Sequence, residues 1–515
     1  MNQLSTLDAV FLHLETPEMP MHVGALQILQ RPPPRVHRKS GRKSETNRGG
    51  PAEPYVDALR RVVASRLHRA PMLTRALVPL PLDMGNPFWQ DGVAVDLHWH
   101  VRSYRLPAPG GPRQLDEFIA RHAARLMDRS RPLWQLLVVE GLDESFGPDA
   151  VAVYTKLHHA AVDGNAAVAL GNVLFDTEPD PASSLAPQGH ALRLAQTPPP
   201  ATRALLGAAA WNQVAHSVRL AGALPKAGRS LAAVLRQWIG LTTRGTGTAP
   251  LQIAPRTFLN VTVSRKRAYG TARVPLGELK EIGHACGATV NDLVLWLVST
   301  ALREYVERHE RLPDRPLLAG VPVSLRPEGD TNSNTQATLT SVNLATHIDD
   351  PRLRLAAIQD ATAAMKDTIG RMRPLLAIEL PSLGLPWLLR GAASIYASAR
   401  LAERLPGVAN LVVSNVAGSR VPLYLAGARM VATYPVSIIV HGVGLNITVQ
   451  SHDGALGFGC VGCGRALPDI ALLASGIERA FDALRAAAMP VRIASRPPAK
   501  PLARRRTPTK HADAS

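Results

Sequence analysis

The hydrophobic pattern changes period in the middle of residues 151–175. Val151, Val153 and Thr155 alternate with Ala152, Tyr154 and Lys156, which predicts a strand over 151–157. From Gly164 to Phe175 small and apolar residues recur as in a helix. Between the two lies LHHAAVDG, so His158 and His159 sit where strand becomes helix. Asp163 is placed to cap the helix start, and Gly164 lets the backbone turn closely.

Similar patterning predicts the rest of the chain. In the first half, Leu7, Val10, Phe11 and Leu14 have helical spacing and lead into a strand over 23–29. A basic amphipathic helix follows over 54–68, then strand-rich pieces over 72–82 and 88–101, a helix over 115–128 and a buried strand over 136–140. In the second half, strands are expected over 258–263, 317–325, 338–345, 411–414, 437–440 and 445–449. Helices are expected from Thr289 onward, over 351–369 and over 466–488. Thr289 is a natural cap for its helix, whose Val290, Leu293, Val294, Leu297, Val298 and Leu302 would face a core.

Between the halves, EPDPASSLAPQ and TPPP mark a boundary. Residues 201–245 then read as a helical crossover whose charges are all basic, and 371–405 as a second basic, leucine-rich helical region. The expected fold class is α/β (α+β), each half a mixed sheet covered by helices. The expected domains are 1–185, containing a basic insert at 31–50, then a linker and crossover at 186–250, a second domain at 251–490 and a basic tail at 491–515.

Composition narrows the function classes. The chain has 515 residues, 46% of them hydrophobic and 19% charged, enough for a large core. Aromatics at 4% argue against stacking platforms for single-stranded nucleic acid. Cys286, Cys460 and Cys463 are few for this length and suit a reducing compartment. The Cys460–Cys463 spacing falls in a glycine-rich, strand-like run, so these cysteines read as structural. The start, MNQLSTLDAVFLHLE, has no basic region before an apolar core, so no secretory signal is expected. Residues 431–450 lack charged side chains, but Pro435, His441, Gly442 and Asn446 interrupt them, so buried strands are the better reading and the protein is expected to be soluble or peripheral.

Net charge is +18, and two thirds of it lies in two segments. Residues 31–50 and 491–515 each carry seven Lys or Arg against one acidic residue, with many prolines, and read as disordered arms. Such arms attract the phosphates of lipid headgroups or nucleic acid, or serve only as solvated tails.

The chemistry centres on H-x-x-x-D-G at His159, Asp163 and Gly164, with His158 directly before it. An imidazole titrating near pH 6.5 can take a proton from a hydroxyl or a thiol, and Asp163 can order the turn around it. An isolated pair of histidines in a capped structural turn accounts for the same residues. A metal is not expected, because adjacent histidines at a strand end point to opposite faces. Trp134 reads as a core anchor or as the wall of a pocket. Asn291 and Asp292, in the first turn of their helix, read as satisfying free backbone N–H groups.

Several separated stretches together carry a resemblance. They are LSTLDAVFLHLE with MHVGAL, RPLW, HHAAVDG, NDLVLW, PVSLR, SNVAGSRVPLYLAGA and YPVS with GLNITV. In this order the chain resembles the bacterial bifunctional wax ester synthase/acyl-CoA:diacylglycerol acyltransferases over residues 4–488, apart from the insert. The resemblance implies two chloramphenicol-acetyltransferase-like domains of the coenzyme-A-dependent acyltransferase fold, with the histidine turn at their interface. It implies His159 as general base, His158 in support, Asp163 holding the turn with Gly164, and Pro132, Leu133, Trp134, Asn291 and Asp292 as motif residues. It further implies acyl-CoA as a substrate with no cofactor, and diacylglycerol or a long-chain alcohol as acceptor. The location implied is cytoplasmic, peripheral to an anionic membrane surface and to lipid inclusions. The chain departs from the family pattern at Ala417, where a proline is expected, and at the NSNTQAT stretch from Asn332.

Two further readings remain open at this point. Carrier-protein-dependent acyltransferases and condensation enzymes share HHxxxDG, although PLYLAGA and GLNITV favour the lipid family. A non-catalytic protein of lipid inclusions would use the basic segments and not the histidine. Specific nucleic-acid binding is not expected, since no reader motif accompanies the basic arms.

Overall fold

The computed structural model describes residues 2–32, 54–161, 170–179, 201–215, 253–324, 337–372, 385–405 and 407–487. Asp163 and Gly164, nearly all of the basic insert, most of the crossover and the basic tail therefore lie outside the described residues.

Two six-stranded mixed sheets form the frame. Their strands, in chain order, are β1 (His22–Gln30), β2 (Val101–Arg105), β3 (Trp134–Glu140), β4 (Ala150–His158), β5 (Arg267–Pro275), β6 (Leu318–Ser324), β7 (Ala337–Asn343), β8 (Leu411–Val416), β9 (Tyr424–Leu425), β10 (Ala428–Val436), β11 (Leu445–His452) and β12 (Ala455–Cys463). The helices that matter below are α1 (Thr6–Leu14), α2 (Tyr55–Arg66), α3 (Pro112–Ala123), α4 (Leu276–Cys286), α5 (Val290–His309), α6 (Pro351–Met372), α7 (Leu385–Ser398) and α8 (Ile470–Ala487).

The first sheet runs β9-β10-β1-β4-β3-β2 and the second β7-β6-β8-β11-β12-β5. The α/β expectation with helix-covered mixed sheets holds, but the sheets do not follow the sequence division at 250/251 strand for strand. β9 and β10 come from the second half of the chain, and β10 pairs antiparallel with β1, from Val436 opposite Gly24 to Arg429 opposite Gln30. Strand periodicity reveals which face is buried but not which distant edge a strand joins.

The sheets meet through glycine. A Cβ on Gly457 or Gly459 of β12 would stand 1.9 Å from Thr433 O or 1.7 Å from Pro435 O of β10. Only glycine permits that approach. The run containing Cys460 and Cys463 is thus a buried strand, and both cysteines are free thiols. One apolar core spans both sheets, from Met21, Leu26 and Tyr154 through Phe118 and Ile119 of α3 to Val274, Leu297 and Phe481.

Two expected strands are absent. Over 258–263 the backbone donors go elsewhere: Asn260 N–H closes a turn on Thr257 O, and its side chain donates to Ala409 O and Gly442 O. Over 437–440 only Val440 pairs, in an isolated bridge to Val443. Within 88–101, Asp96 instead caps a single helical turn by accepting from His98 N–H and Trp99 N–H. Among the described residues no single helix is long and apolar enough to cross a membrane, and residues 431–450 fall largely in β10 and β11.

Candidate active site

β4 ends at His158, and the next residues, His159–Ala161, form one 3₁₀ turn. Two neighbouring segments hold the backbone here. His158 N–H donates to Leu133 O at 3.0 Å, and His159 N–H donates to Met21 O at 2.9 Å. Arg75 closes the far end by donating to Ala161 O at 2.9 Å. The strand-to-turn geometry expected from sequence is therefore present as far as Ala161.

The two histidines have different surroundings. His158 is fully buried, with 0% exposure. Its Nδ1 accepts from Ala160 N–H at 3.1 Å, and its Nε2 lies 3.3 Å from Glu15 Oε1. His159 is half-buried and stacks on Phe11 at 3.7 Å between ring centres. Burial seals His158 from solvent, whereas His159 keeps partial exposure.

Glu15, His22 and Arg129 complete the cluster, and none of them stood out in the sequence. The Glu15 side chain, only 2% exposed, ends α1. Its Oε1 accepts from Met21 N–H at 3.0 Å and lies 3.1 Å from His22 Nε2. Its Oε2 accepts from Arg129 at 2.8 Å, and Arg129 also donates to Leu12 O. Burial alone would raise the Glu15 carboxyl, but the contacts from His158 and His22 outweigh it and hold the group ionised, far below the usual carboxylate range. His22 is driven down to about 3, first by burial and then by the charge of Lys156. Burial likewise lowers His158, against the pull of Glu15. The centre is thus a carboxylate between two neutral imidazoles.

Lys156, on the same face of β4 as His158, is also buried and donates to His122 O at 2.9 Å and Arg125 O at 2.5 Å. It ties the strand to the C-terminal end of α3, where a cation suits the helix dipole. Burial pushes its ammonium down to about 7.

Ligand atoms of Glu15, His22 and His158 all lie within 4.8 Å of one another, a spacing that could hold a metal ion. The donor chemistry disfavours this. A neutral imidazole accepting at Nδ1 keeps its hydrogen on Nε2, so His158 turns N–H, not a lone pair, toward the carboxylate. Arg129 already balances the carboxylate charge.

The Pro132-Leu133-Trp134 segment is brought directly to the histidines. Leu133 supplies the carbonyl for His158, and Trp134 stands opposite Leu157 in the β3–β4 ladder. Trp134 is a core residue: 3% exposed, it donates from Nε1 to Leu73 O at 2.9 Å and stacks on His100. Asn291 and Asp292 lie instead in the first turn of α5. Asp292 and Thr289 form a reciprocal capping box, and Asp292 Oδ1 accepts from Thr362 Oγ1 at 2.7 Å.

The segment from Glu15 to His22 also reaches the second sheet. Glu18 Oε1 pairs with Arg265 at 2.8 Å, Arg267 donates to Glu18 O at 2.6 Å, and Met19 Sδ meets His441 N–H at 3.4 Å. The histidine turn accordingly stands beside the boundary between the two sheets.

The wax ester synthase/diacylglycerol acyltransferase catalytic domain matches residues 4–294, and the WS/DGAT C-terminal domain matches 334–485. A Mycobacterium tuberculosis (strain ATCC 25618 / H37Rv) protein bearing a diacylglycerol O-acyltransferase name is 35% identical over 486 residues, covering 94% of this chain and 99% of its own. A second one from the same strain is 34% identical over 481 residues, covering 93% and 98%. The solved wax ester synthase/diacylglycerol acyltransferase from Marinobacter aquaeolei VT8 is 26% identical, with a TM-score of 0.63 over 95% of this chain and 100% of its own. With both domains matched in order and the histidine turn inside the first, this chain belongs to the wax ester synthase/diacylglycerol acyltransferase family.

Proposed function

We propose that this acyltransferase moves a long-chain acyl group from acyl-CoA to diacylglycerol or a long-chain alcohol, with His159 as general base. The observation that carries the assignment is the contrast within the motif: His158 is sealed against Glu15, while His159 is half-buried with its backbone fixed on Met21. A base must be both held and reachable.

His159 takes the hydroxyl proton as the acceptor oxygen forms its bond to the thioester carbonyl carbon. The tetrahedral intermediate then breaks its C–S bond, and the proton on His159 passes to the departing sulfur. Ester and CoA with a free thiol are the products, and no acyl-enzyme forms. Asp163 and Gly164 keep the turn-ordering role their motif implies, while the Pro132-Leu133-Trp134 segment entering β3 braces the end of β4. Asn291 and Asp292 act through the start of α5. The chemistry needs no cofactor.

The same reading places the enzyme at the surface of an anionic membrane or lipid inclusion, where both acceptors reside. Exposed Trp387 and Leu388 on α7, at 59% and 72%, support it together with the basic segments of the sequence. Removing residues 33–50 and 491–515 is expected to weaken sedimentation with anionic vesicles; unchanged sedimentation would leave no role for the arms.

The test of the activity is direct. The purified protein, given palmitoyl-CoA with dioleoylglycerol or hexadecanol, is expected to yield ester and one CoA thiol per ester. Absence of ester with both acceptors, alongside transfer from an acyl carrier protein, would favour the carrier-dependent alternative.

A further inference from the structure

We infer that Glu15 is a positioning residue for the reaction, fixing the catalytic turn through two chains of contacts that converge on His159. The inference rests on the assignment of His159 as the base.

One chain runs through the backbone. Glu15 Oε1 accepts from Met21 N–H at 3.0 Å, and the carbonyl of the same residue accepts from His159 N–H at 2.9 Å. A shift of the carboxylate therefore moves the residue to which the base is tied. The other runs through a side chain. Glu15 Oε1 faces His158 Nε2 at 3.3 Å, and His158 Nδ1 accepts from Ala160 N–H at 3.1 Å. His159 thus has one neighbour on each side fastened to the carboxylate: Met21 across the ladder and Ala160 along the turn.

Placement of this acid runs against local preference. Glu15 caps the C-terminal end of α1, where the helix dipole disfavours negative charge, and its side chain is almost wholly removed from water. A buried carboxylate survives there only with its oxygens satisfied. Arg129 supplies this on Oε2 and also donates to Leu12 O, tying the acid to the last turn of α1. That turn region also carries Phe11, the ring on which His159 stacks. The stacking partner, the backbone acceptor and the turn are all referenced to one carboxylate.

An ordinary structural ion pair would account for Arg129 alone. It does not account for both imidazoles and Met21 N–H gathering on the opposite oxygen, which faces the histidine turn. Misplacing a base by about 1 Å costs on the order of 10²-fold in rate.

The experiment uses the full chain and two backgrounds. Glu15→Gln keeps the size and removes the charge, turning an amide donor toward either Arg129 or Met21 N–H. Turnover with palmitoyl-CoA and dioleoylglycerol is expected to fall about 10²-fold. KM is expected to stay within about twofold and the melting temperature within a few degrees, because Arg129 is part-exposed and can hydrate. In a His159→Ala background the same change is expected to cost nothing further, since a positioner is silent once its client is gone. If Glu15→Gln folds poorly, Glu15→Asp, which keeps the charge but draws the carboxylate back from Met21 N–H and His158 by one methylene, is expected to lower turnover in the same direction and to be equally silent beside His159→Ala. Turnover within threefold of wild type in Glu15→Gln, or an equal loss in both backgrounds, would overturn the inference. Wild-type turnover in His159→Ala alone would instead overturn the base assignment, and the role given to Glu15 with it.

Discussion

The two sheets bury polar groups of different kinds. Around the end of β4 the first sheet encloses Glu15, His22, Lys156 and His158, ionisable groups drawn from α1, β1 and β4. The second sheet and its helices bury mainly neutral polar side chains, among them Ser299, Thr346, Asn410, Asn446 and Thr448. Asn410 accepts from Leu318 N–H and donates to Pro255 O, and Asn446 donates to Ile438 O, so they replace missing backbone partners. Neutral amides in a core repair the chain locally at modest cost, whereas charges there need an opposite charge, as Glu15 has in Arg129, or hydrogen bonds, as Lys156 makes to two carbonyls. The difference indicates where the fold spends stability on chemistry and where it does not.

Mutations can sharpen or break this contrast. In the second half, Leu297 of α5 is wholly buried, and Leu297→Ala is expected to cost roughly 2–5 kcal/mol in urea unfolding, with KM unchanged and turnover lost only with the folded fraction. A specific loss of kcat in the folded variant would blur the contrast. In the first half, the distinctive response is to pH. His22 titrates near 3 in the folded protein against 6.5 when unfolded, so between those values the unfolded chain binds more protons and stability falls as pH falls. The slope from one such group approaches about 1.4 kcal/mol per pH unit in the middle of that window, and His22→Gln is expected to flatten the unfolding free energy measured between pH 6 and pH 4. An unchanged slope would mean the site is not held by its buried imidazole. The smallest effect belongs to the capping box: Thr289→Ala is expected to lower stability by about 1 kcal/mol and leave kcat alone.

Much of the frame was legible because burial imposes period on sequence. The alternation in β4, the helical spacing in α1 and α5, and Thr289 as a cap all appear where local pattern places them. The histidine turn and its brace from Pro132-Leu133-Trp134 were legible as motifs. Glu15 was not, since a single acid at a helix end looks like any solvated charge until the fold closes over it. The available signal was its position, an acid ending α1 against the dipole and next to the run that leads into β1. Arg129 was hidden because its partner Glu15 lies 114 residues away, and His22 because a histidine at a strand start shows no sign of burial against an acid until the fold closes. The attachment of β10 to the first sheet was equally invisible, because alternation is the same whichever edge a strand joins.

The central claim is that His159 alone within the histidine pair handles the proton. It is tested most directly by steady-state ester formation from palmitoyl-CoA by wild type and His159→Ala, with dioleoylglycerol and with hexadecanol, alongside thermal unfolding of both proteins. His159→Ala is expected to lower kcat at least about 10²-fold with each acceptor while its melting temperature stays close to wild type. Turnover near the wild-type value with either acceptor would contradict it.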